Sequence, residues 1–158
     1  DVRWSIVYTG GYGVTGNKGG IAVRFDVLDS PICFVCAHFH ANRENIDKRN
    51  ADFQTIVDSA SFPPNPNASG KRPSVAPTKG RDEVVRPYSL STREKNKNIV
   101  LNILHHEHIF WFGDLNYRIA SELEDIEVFE IVQTGNWLSL RAKDQLNIER
   151  DKGNVFQN

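Results

Sequence analysis

The chain has 158 residues, of which 39% are hydrophobic and 25% are charged, and its formal net charge is −1 at pH 7. This composition is typical of a soluble globular protein with a single core. The near-zero charge gives no general reason to expect nucleic acid as a partner, and no apolar run is long enough to span a bilayer.

The first half of the chain predicts three strands followed by a helix. An alternation of apolar and other residues marks a half-buried strand, whereas a continuous apolar run marks a central strand buried on both faces. In chain order we predict a strand over 4–9, a glycine-rich loop over 10–17, a half-buried strand over 21–27, a central strand over 32–37 and an amphipathic helix over 42–59.

The two cysteines, Cys33 and Cys36, lie within the predicted central strand. Their odd spacing points them to opposite faces of the strand, so the sequence predicts no disulfide between them. Buried thiols in a reducing compartment are the simpler interpretation.

The second half begins with a segment that differs in composition. Residues 61–86 hold five of the seven prolines and predict a mobile loop. Residues 71–97 carry eight basic and three acidic residues, which suits a solvated loop or a patch for anionic membrane. We then predict a helix over 91–104, a polar turn over 105–108, a strand over 108–112 and helices over 122–133 and 136–149.

The strand over 108–112 ends at Gly113, and Asp114 and Asn116 follow at once. In an α/β protein the crevice at the strand ends is where ligands bind. A carboxylate there can take a proton from water and an amide can hold an oxyanion, a pairing that suits hydrolysis of a phosphate ester. Gly, Asp and Asn are also common turn formers, so these residues alone leave a strand-to-loop turn equally open.

Three stretches together resemble the inositol polyphosphate 5-phosphatases. In chain order they are GNKGGIAV at 16–23, FVCAHFHA at 34–41 with RNAD at 49–52, and FWFGDLNYR at 110–118. The chain departs from the family pattern at Ala37, where Ser is usual, and at Phe39, where Leu is usual. The resemblance implies an α/β fold that is part of a DNase I-like sandwich of two mixed β-sheets flanked by helices. It also implies that residues 1–158 are the central fragment of a single catalytic domain, with a flexible insertion at 61–90.

The resemblance further implies Mg²⁺-dependent removal of the 5-phosphate from a phosphoinositide or a soluble inositol polyphosphate. Asp114 would activate the attacking water, and Asn116 and His38 would stabilise the phosphorus centre. Asn17, Lys18, Arg49 and Asn50 would bind or orient the substrate, although an ordinary helix surface is an equally good interpretation of Arg49 and Asn50. Arg118 is expected to tie the loop together by an ion pair.

The metal-binding Glu of the family is expected upstream, so no metal ligand is assigned in this chain, and the chain alone is expected to be inactive. We expect a cytoplasmic protein that contacts anionic membrane peripherally and does not bind nucleic acid. The alternatives are another DNase I-like phosphodiesterase or endonuclease, and a binding module without catalytic activity.

Overall fold

The computed structural model describes residues 2–11, 15–28, 30–63, 100–120 and 123–157. No helix in these ranges is both long and apolar enough to cross a membrane. The described elements are β1 (Arg3–Gly10), β2 (Thr15–Val27), β3 (Ser30–His38), α1 (Ile46–Ser59), β4 (Ser61–Phe62), β5 (Leu101–Asn102), a 3₁₀ turn (Ile103–His105), β6 (His108–Asp114), α2 (Asp125–Gln133), α3 (Trp137–Arg141) and α4 (Gln145–Asp151).

Four of the strands form a mixed sheet in the order β1-β2-β3-β6. The pairs β1–β2 and β2–β3 are antiparallel, whereas β3 and β6 are parallel. Because parallel strands run in the same direction, β3 and β6 end at the same edge of the sheet. Their last residues, His38 and Asp114, are register partners there.

The core lies between one face of this sheet and α1. Gly20 leaves room for the helix, because a Cβ at this position would come within 2.9 Å of Ile56 Cδ1. The strands, the helix and the flanking turns contribute core residues that are almost completely buried. They include Ala22, Val35, Phe39, Ile56, Phe62 and Ile103. The apolar stripe predicted for α1 therefore packs as expected, although the helix begins at Ile46 and not at residue 42.

The opposite face of the sheet is apolar and exposed. The register places Trp4, Phe34 and Phe110 in one row across the sheet, and Trp4 and Phe110 are 65% and 49% exposed. The prediction that β3 is buried on both faces is therefore wrong for this chain. The apolar alternation of β2 predicts that Ile21 faces the core. The structure shows the reverse, since Ala22 is buried while Ile21 is half exposed.

The predicted glycine-rich loop over 10–17 is shorter than expected, since β2 already begins at Thr15. Tyr8 pairs with Gly19 and Gly10 pairs with Thr15, with a register shift between them. Gly19 has a φ of 150°, and a Cβ there would lie 2.1 Å from the carbonyl oxygen of Val7. Its glycine thus permits a close approach of two strands, and local sequence had suggested a flexible loop instead.

Other predicted boundaries change in the second half. Residues 101–104 are not α-helical. Leu101–Asn102 pair with Ser61–Phe62, and a 3₁₀ turn follows at Ile103–His105. The same pairing places 61–62 of the predicted mobile loop in a strand. Residues 64–99, which include the rest of that loop after Pro63 and the basic segment, lie outside the described residues. The helix predicted over 136–149 is two helices, α3 and α4.

The two cysteines are both free and point to opposite faces, as predicted. Cys33 is buried in the core, and this burial raises the pKa of its thiol to about 11. Cys36 lies on the open face and is exposed, so the expectation that both thiols are buried is wrong.

Candidate active site

His38 and Asp114 project side by side from the ends of β3 and β6. The distance from His38 Nε2 to Asp114 Oδ2 is 3.9 Å, and the two side chains are 51% and 67% exposed. The neighbouring backbone is fixed, because the Phe39 N–H donates to the Asp114 carbonyl at 3.0 Å. An imidazole and a carboxylate therefore meet in a solvent-accessible position, as the shared strand edge predicts.

Lys18 adds a cation to this pair. Its Nζ lies 2.9 Å from His38 Nε2. An ammonium group can only donate, so Nε2 accepts this hydrogen bond and does not carry the proton in this arrangement. Lys18, Asn17, His38 and Asp114 line an open cleft of about 400 Å³. Lys18 and Asn17 thus reach the cleft from β2, although the sequence predicts that Asn17 lies in the loop over 10–17.

Asn116 is buried beneath the exposed carboxylate. Its backbone N–H donates to Asp114 Oδ1 at 3.2 Å, and its Nδ2 donates to the Phe39 carbonyl at 3.0 Å. Its Oδ1 accepts a hydrogen bond from Arg118 Nη2. Arg118 therefore ties the loop as expected, but among the described residues it does so through an amide and not through an ion pair. An amide nitrogen carries two hydrogens, and the bond to Phe39 uses one of them.

Arg49 is fully buried, which excludes the helix-surface interpretation. Burial lowers the pKa of its guanidinium group, because a charged group loses solvation in the interior. The guanidinium is compensated by four acceptors: the carbonyls of His40, Asn42 and Arg43 and the side-chain oxygen of Gln145. It therefore holds the chain that leaves β3, and it does not line the cleft.

Asn50 connects the loop after β6 to α4. It accepts a hydrogen bond from the Tyr117 hydroxyl at 2.7 Å and donates one to Glu149 Oε2 at 2.7 Å. Burial raises the pKa of Tyr117. The hydrogen bond from Lys152 lowers the pKa of Glu149, so this buried carboxyl is held ionised. Like Arg49, Asn50 faces the loop and not the cleft.

His40, whose role the sequence leaves open, is held by Asp52. The Asp52 carboxylate accepts from the His40 backbone N–H at 2.7 Å and lies 2.7 Å from His40 Nδ1. Asp52 is 3% exposed. The Arg-Asn-x-Asp segment of α1, residues 49–52, thus holds the residues that follow β3 and β6 by hydrogen bonds.

Two further residues of this network are missed by sequence analysis. Gln145 and Glu149 lie one turn apart on α4, and both are buried. Their partners Arg49 and Asn50 are 96 and 99 positions away in sequence. The i, i+4 spacing of two polar residues places them on one helix face, but this signal does not distinguish a buried network from a solvated one.

A hard divalent cation takes about six oxygen ligands. Asp114 supplies one exposed carboxylate, but Asn116 Oδ1 is already bonded to Arg118. Within the described ranges no three His, Cys, Asp or Glu side chains are grouped to hold a metal ion. The described residues therefore do not form a complete cation site by themselves.

The sequence matches the family model described as Endonuclease/Exonuclease/phosphatase family 2 over residues 1–158. Human synaptojanin-1 is 34% identical over 157 residues, which cover 99% of this chain and 8% of that protein. Type IV inositol polyphosphate 5-phosphatase 6 of Arabidopsis thaliana is 31% identical over 159 residues, covering 99% of this chain and 21% of its own length. The chain thus spans a small part of the curated relatives that it matches.

A solved structure is also similar. The crystal structure of the inositol polyphosphate 5-phosphatase domain of SPsynaptojanin, in complex with inositol (1,4)-bisphosphate and calcium ion, superposes with a TM-score of 0.67 at 30% identity. The match covers 99% of this chain and 34% of that domain's chain. The predicted DNase I-like α/β fold and the predicted resemblance are confirmed.

Proposed function

The chain belongs to the endonuclease/exonuclease/phosphatase family 2, and on this premise we propose that it forms part of a phosphatase active site. The proposed reaction is removal of the 5-phosphate from a phosphoinositide or a soluble inositol polyphosphate. The family shares a fold among several hydrolytic activities, so the substrate is argued from the site and from the relatives named above.

One observation carries the proposal: His38, Asp114 and Lys18 converge in one cleft at the shared edge of β3 and β6. A carboxylate that accepts a proton, an imidazole and an ammonium are the groups that phosphate-ester hydrolysis needs around the phosphorus atom. The three groups come from three different strands, so their meeting is a property of the fold.

Each group has a defined task in the proposed mechanism. Asp114 takes a proton from the attacking water, and the Asn116 N–H on its other oxygen fixes the direction of the carboxylate. Lys18 turns from His38 to a phosphate oxygen when substrate binds. His38 can then take the tautomer with its proton on Nε2 and donate to the phosphate or its leaving oxygen. The second hydrogen of Asn116 Nδ2 is proposed to bond a phosphate oxygen.

We also propose a requirement for Mg²⁺. The relative crystallised with inositol (1,4)-bisphosphate contains a calcium ion, which supports a divalent cation in this family. When bound, such an ion polarises the phosphate and neutralises charge. We expect the ligands of this ion, including a Glu, to come from outside the described residues.

The place of action is proposed to be the cytoplasm, with peripheral contact to anionic membrane. The free thiols of Cys33 and Cys36 support a reducing compartment. The basic segment over 71–97, which lies outside the described residues, supports attraction to anionic lipid.

The test is a substrate panel for the intact protein with Mg²⁺: phosphatidylinositol 4,5-bisphosphate in vesicles, soluble inositol 1,4,5-trisphosphate and a duplex with an abasic site. Phosphorus NMR identifies which phosphate is lost. The proposal predicts loss of the 5-phosphate from at least one inositol compound. Loss of the 1- or 4-phosphate, or nicking of the abasic duplex without phosphate release, would reject it.

A further inference from the structure

Gln145, the first residue of α4, is 3% exposed and makes hydrogen bonds with every polar side-chain atom. Its Oε1 accepts from Arg49 Nη2 at 2.7 Å and from the Arg118 backbone N–H at 2.9 Å. Its Nε2 donates to the Arg43 carbonyl at 3.0 Å. One side chain thus joins α1, the loop before α1 and the loop after β6.

The contact with Arg118 is reciprocal. The Gln145 backbone N–H donates to the Arg118 carbonyl at 3.0 Å, so both polar groups of the Arg118 backbone are bonded to the same residue. The pairing continues next to it, because the Ala120 N–H donates to the Lys143 carbonyl at 2.6 Å. The start of α4 therefore fixes the position and direction of the chain at Arg118.

From Arg118 a continuous series of hydrogen bonds leads to the cleft. The Arg118 guanidinium donates to Asn116 Oδ1, and the Asn116 N–H donates to Asp114 Oδ1 at 3.2 Å. Asn116 has a φ of 57°, in the left-handed region, so its conformation depends on the contacts around it. A displacement of Arg118 would therefore be transmitted to the exposed carboxylate.

We propose that Gln145 is a positioning residue for the active site: it holds the Arg118 backbone, and through Arg118 and Asn116 it sets the orientation of the Asp114 carboxylate. This inference rests on the proposed function. Gln145 does not line the cleft and has no contact with the place where substrate would bind. Its effect is on the geometry of Asp114, so it should act on turnover more than on substrate binding.

The test compares two substitutions in the intact protein. Gln145→Met has nearly the same length but makes none of the side-chain hydrogen bonds, so only the backbone N–H donation to the Arg118 carbonyl remains. Gln145→Glu keeps an oxygen that accepts from Arg49 and Arg118, and it places an acceptor in place of the donor that faces the Arg43 carbonyl. Gln54→Met is the matched control, because Gln54 is an exposed residue of α1 that bonds only to Asp58 within the same helix.

We expect Gln145→Met to lower kcat by roughly 10- to 100-fold, since small misplacements of a reacting group have effects of this size. KM should change by less than about threefold, because uniform binding is retained. Gln145→Glu should keep kcat within about fivefold of the wild type, since the contact that its oxygen makes to Arg118 is the one that matters. Gln54→Met should behave like the wild type.

Near-UV circular dichroism shows whether each variant is folded. Unchanged kcat in folded Gln145→Met would overturn the inference, and so would a kcat for Gln145→Glu as low as that of Gln145→Met. If Gln145→Met does not fold, amide hydrogen exchange of Arg118 in the wild type decides. Protection supports the inference, and exchange at the rate of a free amide rejects it. A wild-type protein without phosphatase activity would reject the proposed function instead.

Discussion

His38 and Asp114 are partners in the parallel register of β3 and β6, and their Nε2 and Oδ2 atoms lie 3.9 Å apart at the ends of the two strands. They are 76 positions apart in sequence, and α1 crosses between the two strands. The parallel pairing places both side chains on the open face of the sheet, opposite α1. The face that carries the proposed chemistry is therefore separate from the face that carries the core.

The first prediction concerns Lys18, whose Nζ lies 2.9 Å from His38 Nε2. Lys18→Gln should lower kcat/KM by about 10- to 100-fold, because a hydrogen bond to a charged group contributes about 1.5–3 kcal/mol. Steady-state phosphate release from the intact protein measures this effect. Lys48→Gln, on the exposed side of α1, is the control. Equal kcat/KM for the two variants would remove Lys18 from the site.

The second prediction concerns Gly113, which lies immediately before Asp114 and has a φ of 120°. A Cβ at this position would lie 2.2 Å from the carbonyl oxygen of Ala37. Gly113→Ala should therefore destabilise the protein by roughly 2–4 kcal/mol and disturb the strand end that carries Asp114.

Gly16→Ala is the matched control, because a Cβ there meets nothing closer than Tyr8 Cε1 at 3.7 Å. Denaturant unfolding of both variants gives the comparison. Similar stability losses for Gly113→Ala and Gly16→Ala would show that the close approach at Gly113 does not limit the fold.

The convergence of His38 and Asp114 could be predicted from sequence because both follow apolar strands, and strand ends share an edge when the strands are parallel. The position of Lys18 could not be predicted correctly. Glycines suggested a loop, whereas Gly19 permits a close strand approach that depends on the partner backbone of Val7. Local sequence does not report how near a neighbouring strand comes.

The supporting network is harder still to predict. The roles of Arg49 and Asn50 depend on their hydrogen bonds to Gln145 and Glu149, which approach them only after the chain has folded. A polar residue on a helix is more often exposed than buried, so composition and periodicity favour a solvated face. Only the three-dimensional packing of α4 against α1 assigns these residues to the interior.

The third prediction concerns the buried pair of Arg24 and His106. Arg24 Nε donates to His106 Nε2 at 3.2 Å, and His106 Nδ1 lies 2.9 Å from the Ile103 carbonyl. Burial lowers the pKa of His106 below its usual 6.5, and the nearby Arg24 charge acts in the same direction. At a pH between its folded pKa and 6.5, His106 is therefore neutral in the folded state and protonated in the unfolded state.

The unfolded state thus binds more protons between the folded pKa and 6.5, so stability should fall as the pH is lowered through this window. His106→Gln keeps an acceptor for Arg24 and removes the titration. Denaturant unfolding of the intact protein from pH 5 to 7.5 should show a shallower loss of stability for His106→Gln. Parallel stability profiles for variant and wild type would contradict the burial of a neutral imidazole.

The fourth prediction concerns the open apolar face of the sheet. Trp4, Phe110 and Phe112 are 65%, 49% and 50% exposed there. In a two-layer fold such a face is covered by another layer. When the face is left uncovered, it favours association of one molecule with another. Residues 1–158 expressed alone should therefore bind a hydrophobic dye, self-associate and release no phosphate with Mg²⁺. A monomeric, dye-free and active fragment would contradict this, and its loss of activity in EDTA would reveal a metal site within the chain.

The fifth prediction tests the central claim, that Asp114 acts as the general base at the edge shared by β3 and β6. Asp114→Asn is nearly isosteric, and its Oδ1 can still accept from the Asn116 N–H, but the amide cannot take a proton from water. The measurement is the rate of 5-phosphate release by the intact variant, with its fold confirmed by near-UV circular dichroism. The account predicts a loss of about 10²- to 10⁴-fold. Wild-type turnover in folded Asp114→Asn would contradict it.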